Sequence, residues 1–387
     1  MTNPTWSGNR KELLSVVETT GFVTDTKTTN TILSNLLLHT EGPHLSIKAT
    51  DFETSIVSTV PGTTTGNFDC VVNGKALKIA LDGECKEVKL VLHEDRLHVE
   101  MPDGTVTLNW FPAEDFPVIS MPGGIETVSL PADKLLDALK HTETAADYSY
   151  EHPGLVGVHL EDFEGSLVVT GSDGHRLHQY NLPLQATMDS VLFGDPEKSA
   201  IKVPVIVSMK GVSLLKHLCK QKSIELGTWY SEVDDKGSPI APRILVKSGN
   251  TVALLRPIGE AYPNFRERLQ KDWTFTVKLS RKSFDSALNK VKKLCSPTGT
   301  KALVLELTEG NLKLSVVNPD IGESFVNIPV EYRRENFATC LNCYFVLDLC
   351  KTLDGDVSFS GGSGGALSGI KFENGGPKWA MLMPMKM

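Results

Sequence analysis

The 387-residue chain carries 39 Lys and Arg against 47 Asp and Glu, a net charge of −8 that excludes an all-over basic nucleic-acid binder. A local basic surface stays open, because partners respond to where charge sits rather than to its sum. With 40% apolar and 22% charged residues the composition is that of an ordinary globular protein, and no apolar run approaches the roughly 18 residues of a membrane span.

Seven scattered cysteines, an odd number, point to reduced thiols rather than a disulfide framework. Met1 to Arg10 lack an apolar signal core, so a cytoplasmic location is expected.

Taken in order, the chain repeats itself. A first amphipathic helical pattern covers Asn9 to Val17, with apolar positions three and four apart. Strands follow at Ile32 to His39 and Leu45 to Thr50, joined by Glu41-Gly42, and a second helical pattern runs from Gly74 to Leu81. Further alternating segments close this copy near Trp110 to Pro117.

The series restarts with a helix over Pro131 to Lys140, strands at Val156 to Leu160 and Leu167 to Thr170 around Glu164-Gly165, and a helix over Gly211 to Lys220. Lys222 to Ile240 reads as a long polar hairpin. A third series has a helix over Ser280 to Val291, strands at Leu303 to Leu307 and Leu312 to Val316 around Glu309-Gly310, and a helix over Phe345 to Leu353. Gly361 to Gly365 reads as a flexible loop inside it. Three α+β domains are expected, at residues 1–126, 127–272 and 273–387, each with two helices and about eight strands.

Each copy also sets an apolar strand directly before an Asp or Asn turn. The fullest example is Gly171-Ser172-Asp173-Gly174-His175-Arg176-Leu177, a strong hairpin signal between β-prone runs. Asp173, His175 and His178 would be the centre of a metal-dependent enzyme, but strand geometry sends the two histidines to opposite faces. Cys340-x-x-Cys343 has redox-motif spacing without a second such pair or a thioredoxin-like setting. The common phosphate-loop, dinucleotide, nucleophile-elbow and zinc-protease motifs do not occur, so no catalysis, metal or cofactor is expected.

Basic residues recur on the helical faces: Arg10 and Lys11, Lys75 and Lys78, Lys134 and Lys140, Lys210 and Lys216, Arg281 and Lys282, and Lys290. They either solvate exposed helices or together line a surface for phosphates, which would hold DNA without choosing a sequence. The methionine-rich end, Met381 to Met387, is either a last core strand with a tail or an adaptable binding surface.

Ser172 to Leu177, Tyr262-Pro263-Asn264-Phe265-Arg266, Phe111 to Pro117 and Met383-Pro384-Met385-Lys386 together resemble the bacterial DNA polymerase III beta subunits, the sliding clamps, across essentially the whole chain. The resemblance implies three similar domains per chain and a head-to-tail homodimer closed into a ring. Helices would line the hole, and the ring would encircle duplex DNA as a non-catalytic processivity factor.

It also implies a groove that takes short motifs from the polymerase, the clamp loader and repair proteins. From the second copy the groove would draw Leu155, Ser172, Gly174, His175, Arg176, Leu177 and Pro263; from the third, Phe345, Leu367, Met381, Leu382, Met383, Pro384 and Met385. Lys27 would contact DNA, with Tyr148 and Tyr150 on a DNA-facing loop. Against the family pattern, Phe345 replaces a tyrosine, His152 an arginine, Arg268 an aliphatic residue, and Pro153-Gly154 an aromatic pair. These departures motivate an alternative, a duplicate clamp with altered partner preference.

Overall fold

The structure is a computed structural model that describes residues 3–24, 31–149, 151–184, 204–233, 239–267, 269, 272–296, 299–362 and 368–386. The described residues contain six α-helices and 25 strands, and their order spells the same sentence three times. The first copy runs β1 (Thr5–Asn9), α1 (Arg10–Gly21), β2 (Asn35–Glu41), β3 (His44–Thr50), β4 (Thr54–Thr65), β5 (Asp69–Asn73), α2 (Gly74–Ala80), β6 (Glu87–Leu92), β7 (Leu97–Met101) and β8 (Gly104–Leu108), with a short extra β9 (Trp110–Phe111). The second runs β10 (Val128–Pro131), α3 (Ala132–Glu143), β11 (Val158–Phe163), β12 (Ser166–Ser172), β13 (Arg176–Pro183), β14 (Val205–Val207), α4 (Met209–Leu218), β15 (Ser223–Val233), β16 (Pro239–Ser248) and β17 (Thr251–Leu255). The third runs β18 (Trp273–Leu279), α5 (Arg281–Val291), β19 (Ala302–Thr308), β20 (Asn311–Asn318), β21 (Gly322–Pro329), β22 (Phe337–Asn342), α6 (Cys343–Thr352), β23 (Val357–Gly362), β24 (Ile370–Glu373) and β25 (Lys378–Leu382). Each copy is thus strand, helix, four strands, helix, three strands.

The helices start where short polar side chains can cap them. Asn9, Asn73, Ser280 and Asn342 each accept a backbone N–H from the first turn of α1, α2, α5 and α6, satisfying donors that the helix itself leaves open. Two arginines do a matching job at the other end. Arg10 opens α1 and is buried, its guanidinium donating to the carbonyls of Leu81, at 2.7 Å, and Cys85, at 2.8 Å, just beyond α2. Arg281 opens α5 and donates to the carbonyls of Cys350 and Leu353 at the end of α6, with Asp285 at 2.7 Å on its Nε. In both copies a cation thereby meets the negative end of the second helix.

Contact density divides the chain into two compact units. The first comprises the described parts of Met1–Asp133 and Ser213–Pro257; the second comprises those of Lys134–Gly194, Pro204–Val212 and Ile258–Met387. The first unit holds a sheet with the path β10-β15-β16-β17-β4-β1-β6-β7-β8, from which β2, β3, β5 and β9 branch. Its core is built from alternate strand residues such as Leu36, Leu38, Leu45, Ile47 and Leu90, all fully buried.

The second unit holds an eight-stranded sheet, β14-β11-β12-β13-β25-β24-β23-β18, and a four-stranded one, β21-β20-β19-β22. The inner faces of the four-stranded sheet and of β18, β23, β24 and β25 share one core with α5 and α6, including Phe284, Leu305, Leu314, Val346 and Phe359.

One joining rule occurs in each unit. Within the first, β17 pairs antiparallel with β4; within the second, β25 pairs antiparallel with β13. Both times the last strand of one copy zips onto the third strand of the four-strand group in the copy before it. Two strands that hold those positions lie at sheet edges: β8, the last of the first copy's three, and β21, the third of the third copy's four.

Some expectations are corrected. Gly361 and Gly362 are not loop but part of β23, where a Cβ on Gly361 would stand 2.5 Å from the Phe275 ring. Residues 363–365 of that expected loop, and 234–238 of the β15–β16 hairpin, lie outside the described residues. The segment before β2 begins as a 3-10 turn over Thr31–Ser34 rather than as strand.

Gly171, in β12, is a backbone-contact position: a Cβ there would lie 2.0 Å from the Thr142 carbonyl oxygen of α3. Gly171→Ala is expected to lower stability by about 1–3 kcal/mol or more, read as a shifted urea midpoint, because backbone rather than a flexible side chain must move.

Candidate functional site

The Ser172–Leu177 turn is held by its own side chains. Asp173 Oδ1 accepts the N–H groups of His175, at 3.0 Å, and Arg176, at 2.9 Å, while Ser172 Oγ donates to the Arg176 carbonyl at 2.7 Å. Gly174 sits at φ 85°, the left-handed conformation that glycine adopts without strain. The first copy builds the same turn from different letters. Asp51 Oδ1 accepts from Glu53 and Thr54, Thr50 Oγ1 donates to the Thr54 carbonyl, and Phe52 takes the left-handed position at φ 70°.

From this turn Arg176 reaches into the third copy. Its Nε donates to Asp173 Oδ2 at 2.9 Å, its Nη1 to Asp348 Oδ2 at 3.2 Å, and its guanidinium lies 4.2 Å from the centroid of the Phe345 ring. The planar cation is thus fixed from two edges and one face, the geometry that arginine supports and lysine does not. Asp348 was not among the sequence candidates. Its signal was present, because it stands three residues after Phe345 and so shares that face of α6.

The other predicted groove residues gather round this pair. The β13–β25 ladder sets Arg176 opposite Leu382 and Leu177 opposite Met381. Past the ladder, the Met383 N–H donates to the His175 carbonyl and the Met385 N–H to the Cys340 carbonyl, each at 2.8 Å. Leu155, Leu177 and Leu382 are buried beneath, whereas Met383 is 39% exposed and Phe345, Met381, Pro384 and Met385 are half-buried. A Cβ on Gly154 would lie 3.8 Å from Pro263, and one on Gly174 would lie 4.0 Å from Leu155, so the exposed Pro263 and Gly174 border the same patch. Leu367 lies outside the described residues.

The enzyme reading is not assembled. His178 is fully buried and stacks on His141, whereas His175 is exposed in the turn before β13, and Asp173 is committed to its turn and to Arg176. Burial pushes the His178 imidazole down to about 3 and that of His141 down to about 4. No group of three metal-ligating side chains occurs among the described residues.

The basic helix residues separate into two kinds. Lys11, Lys75, Lys134, Lys140, Lys210, Lys282 and Lys290 are exposed, and Lys216 is half-buried. Lys78 is exposed but pairs with Glu18 at 2.9 Å. Arg10 and Arg281 depart from the expected solvent-facing role, because their guanidinium groups are spent on helix-end carbonyls. Tyr148 is 63% exposed; Lys27, Tyr150 and Arg268 lie outside the described residues. No helix among the described residues is long and apolar enough to cross a membrane.

Comparison with known proteins gives one answer. The family model for the DNA polymerase III beta subunit, N-terminal domain, matches residues 6–120. The beta sliding clamp of Caulobacter vibrioides is 25% identical over 357 residues, covering 89% of this chain and 90% of the relative. That of Pseudomonas aeruginosa is 26% identical over 368 residues, covering 88% of each. In fold, the crystal structure of the DNA polymerase III subunit beta from P. aeruginosa superposes with a TM-score of 0.86 at 22% identity, covering 99% of this chain and 100% of that one. With the threefold element order and the Arg176–Phe345 patch, these matches make the chain similar over most of its length to the DNA polymerase III beta subunits, the beta sliding clamps.

Proposed function

We propose that the chain is a DNA polymerase processivity factor: a non-catalytic sliding clamp that encircles duplex DNA as a head-to-tail homodimer and tethers partner proteins by short peptide motifs. The single observation that carries this reading is the patch in which Arg176, Phe345 and the methionine-rich tail meet at the β13–β25 ladder. Its half-buried aromatic and thioether groups suit apolar anchors of an extended peptide, and Arg176 suits its polar groups. The P. aeruginosa clamp, which shares this fold at 22% identity, has been solved bound to griselimycin. Polymerase and clamp loader are the partners proposed for this surface, and the cytoplasm is the proposed location.

Three domains at residues 1–126, 127–272 and 273–387 fit the repeated element order. The joining rule supports closure. If it also operates between protomers, β21 of one chain zips antiparallel onto β8 of the next, and the register of the two internal junctions sets Gly322 against Leu108. The two edges suit each other, as Phe325 on β21 is 58% exposed and Val106 on β8 is 38% exposed. The exposed lysines of α1 to α5 would hold phosphates without reading bases. Enclosure then supplies retention, so each contact can stay weak enough for movement.

The test is retention on DNA. Loaded by its clamp loader onto nicked circular DNA, the protein is expected to co-elute with the circle through gel filtration and to be lost when the circle is cut. Retention on cut DNA with free ends would overturn the reading. Phe325→Glu, which places a charge at the proposed β21–β8 edge, is expected to raise the monomer fraction and remove retention.

A further inference from the structure

Residues 258–267 run as a strap along one face of β11. Alternate residues of that strand, His159, Glu161 and Phe163, point to this face, and the strap takes each in turn. The Tyr262 ring stacks on the His159 imidazole, with centroids 4.4 Å apart and planes inclined by 17°. Arg266 pairs with Glu161 at 2.7 Å, and its guanidinium lies 4.0 Å from the centroid of the Phe163 ring. The strap starts at Ile258, bridged to Ile206 of β14, and carries Pro263, which borders the groove patch described above.

The Arg266 end of the strap is tied by charge, whereas the Tyr262 end is left with open polar groups. The Tyr262 hydroxyl, His159 Nδ1 and Thr170 Oγ1 are all buried with no hydrogen-bond partner among the described residues. They lie together. Thr170 stands directly opposite His159 in the β11–β12 ladder, on the same face, and the Tyr262 ring covers that same imidazole. Buried polar groups in folded proteins are almost always satisfied, because each one left open costs free energy.

We propose that His159, Thr170 and Tyr262 form a seat for one water molecule between sheet and strap, and that this bridge positions Pro263 at the edge of the groove. Three neighbouring polar groups match the roughly three hydrogen bonds of a typical buried water. Their chemistry selects a neutral ligand that can both donate and accept. Burial pushes the His159 imidazole down to about 4 and holds the Tyr262 phenol above its usual range, so neither carries charge at neutral pH. Arg266, the cation on the same strap, is committed to Glu161. An ion in the seat would therefore be uncompensated, whereas two hydroxyls and a neutral imidazole offer a water both donors and acceptors. The consequence for partner binding rests on the function proposed above; the seat itself does not.

A crystal structure of the full chain is expected to show one water within about 3.2 Å of all three groups. Tyr262→Phe and Thr170→Val each delete one hydroxyl and keep the shape. Each is expected to speed amide hydrogen exchange about fivefold over residues 258–267 and to leave β11 to β13 unchanged. The double variant should fall short of the product of the two effects, because both substitutions loosen the same water. A dry seat, direct bonds among the three groups, or effects that multiply independently would overturn the proposal. The crystal structure of the unsubstituted protein decides even if a variant fails to fold.

Peptide affinity separates the seat from the groove. Tyr262→Phe is expected to raise the Kd of a clamp-motif peptide about threefold. Unchanged affinity in Tyr262→Phe, with affinity lost in Arg176→Ala, would overturn the positioning of Pro263. Unchanged affinity in both would instead overturn the groove and leave the seat to the crystal structure and the exchange rates.

Discussion

Removing Met383–Met387 is expected to abolish binding of a clamp-motif peptide while leaving the sheet that carries β25 folded. The ladder ends at Leu382, and among the described residues the tail beyond it is fastened by two backbone hydrogen bonds, to the His175 and Cys340 carbonyls. Truncation therefore removes the exposed Met383 and the half-buried Pro384 and Met385 but leaves the buried Leu382 in place. Arg176→Ala tests the same surface more finely. It deletes contacts to Asp173, Asp348 and the Phe345 face, and the expected loss is about 1–3 kcal/mol of binding, or roughly 5- to 150-fold in Kd. Arg176→Lys should recover only part of this, because an ammonium has no planar face to lie on the Phe345 ring. Fluorescence anisotropy with a labelled peptide reads all three variants. Unchanged affinity in the truncation would place partner binding elsewhere.

The second large effect is acid lability of the second unit. His141 and His178 stack with ring centroids 4.9 Å apart, both fully buried. His178 Nδ1 contacts the His141 carbonyl at 2.9 Å, which leaves its Nε2 buried without a partner among the described residues. His141 lies between Thr352, at 2.8 Å, and the Trp379 carbonyl, at 3.2 Å. Nearby, Lys378 is nearly inaccessible and bridges Asp137 and Asp354, each at 2.7 Å. Burial works against the Lys378 charge, but the hydrogen bonds to both carboxylates outweigh it and raise its pKa, so the cation persists beside the histidines.

Burial is the main reason both imidazoles stay neutral, and positive neighbours, Lys378 for His141 and Arg176 for His178, add to it. Both folded pKa values lie below the unfolded value of about 6.5, so below that pH the unfolded chain binds protons that the folded chain refuses. Stability is complete above pH 6.5 and falls as pH drops toward 4. The slope is at most about 2.7 kcal/mol per pH unit for two protons, and the loss by pH 4 is on the order of 6 kcal/mol. Urea midpoints from pH 7 to pH 4 give the slope, and His178→Phe should flatten it. An unchanged slope in that variant would assign the loss to other groups.

Much of this architecture was legible before any coordinates. The six helices announce themselves by apolar residues three and four apart and, in four of them, by a capping Asn or Ser. The Ser172–Leu177 turn is readable because Asp173 and Gly174 each do something few other residues can. Residue type did not reveal where a long cation would spend its charge. Arg10 and Arg281 sit in basic clusters like the lysines, yet their stems fold back onto the second helix of their own copy. Alternation identified strands but not their neighbours, because the period of two is satisfied on either side of a sheet. The pairing of β17 with β4 and of β25 with β13 is a property of three-dimensional packing. Asp348 was missed because a lone carboxylate on a helix looks like surface until Arg176 arrives beside it.

The bare strands β8 and β21 have a further consequence for a chain that has not found its partner. An exposed strand edge is a template for any other strand, and in the head-to-tail pairing proposed above the two edges that would meet belong to the same polypeptide. Head-to-tail pairing of this kind makes a closed circle only when the angles add up; otherwise it keeps adding subunits into an open fibre. A substitution that tilts β21 without unfolding it would thus produce polymers rather than monomers. The solubility of this protein would then depend on the curvature that lets two copies satisfy each other.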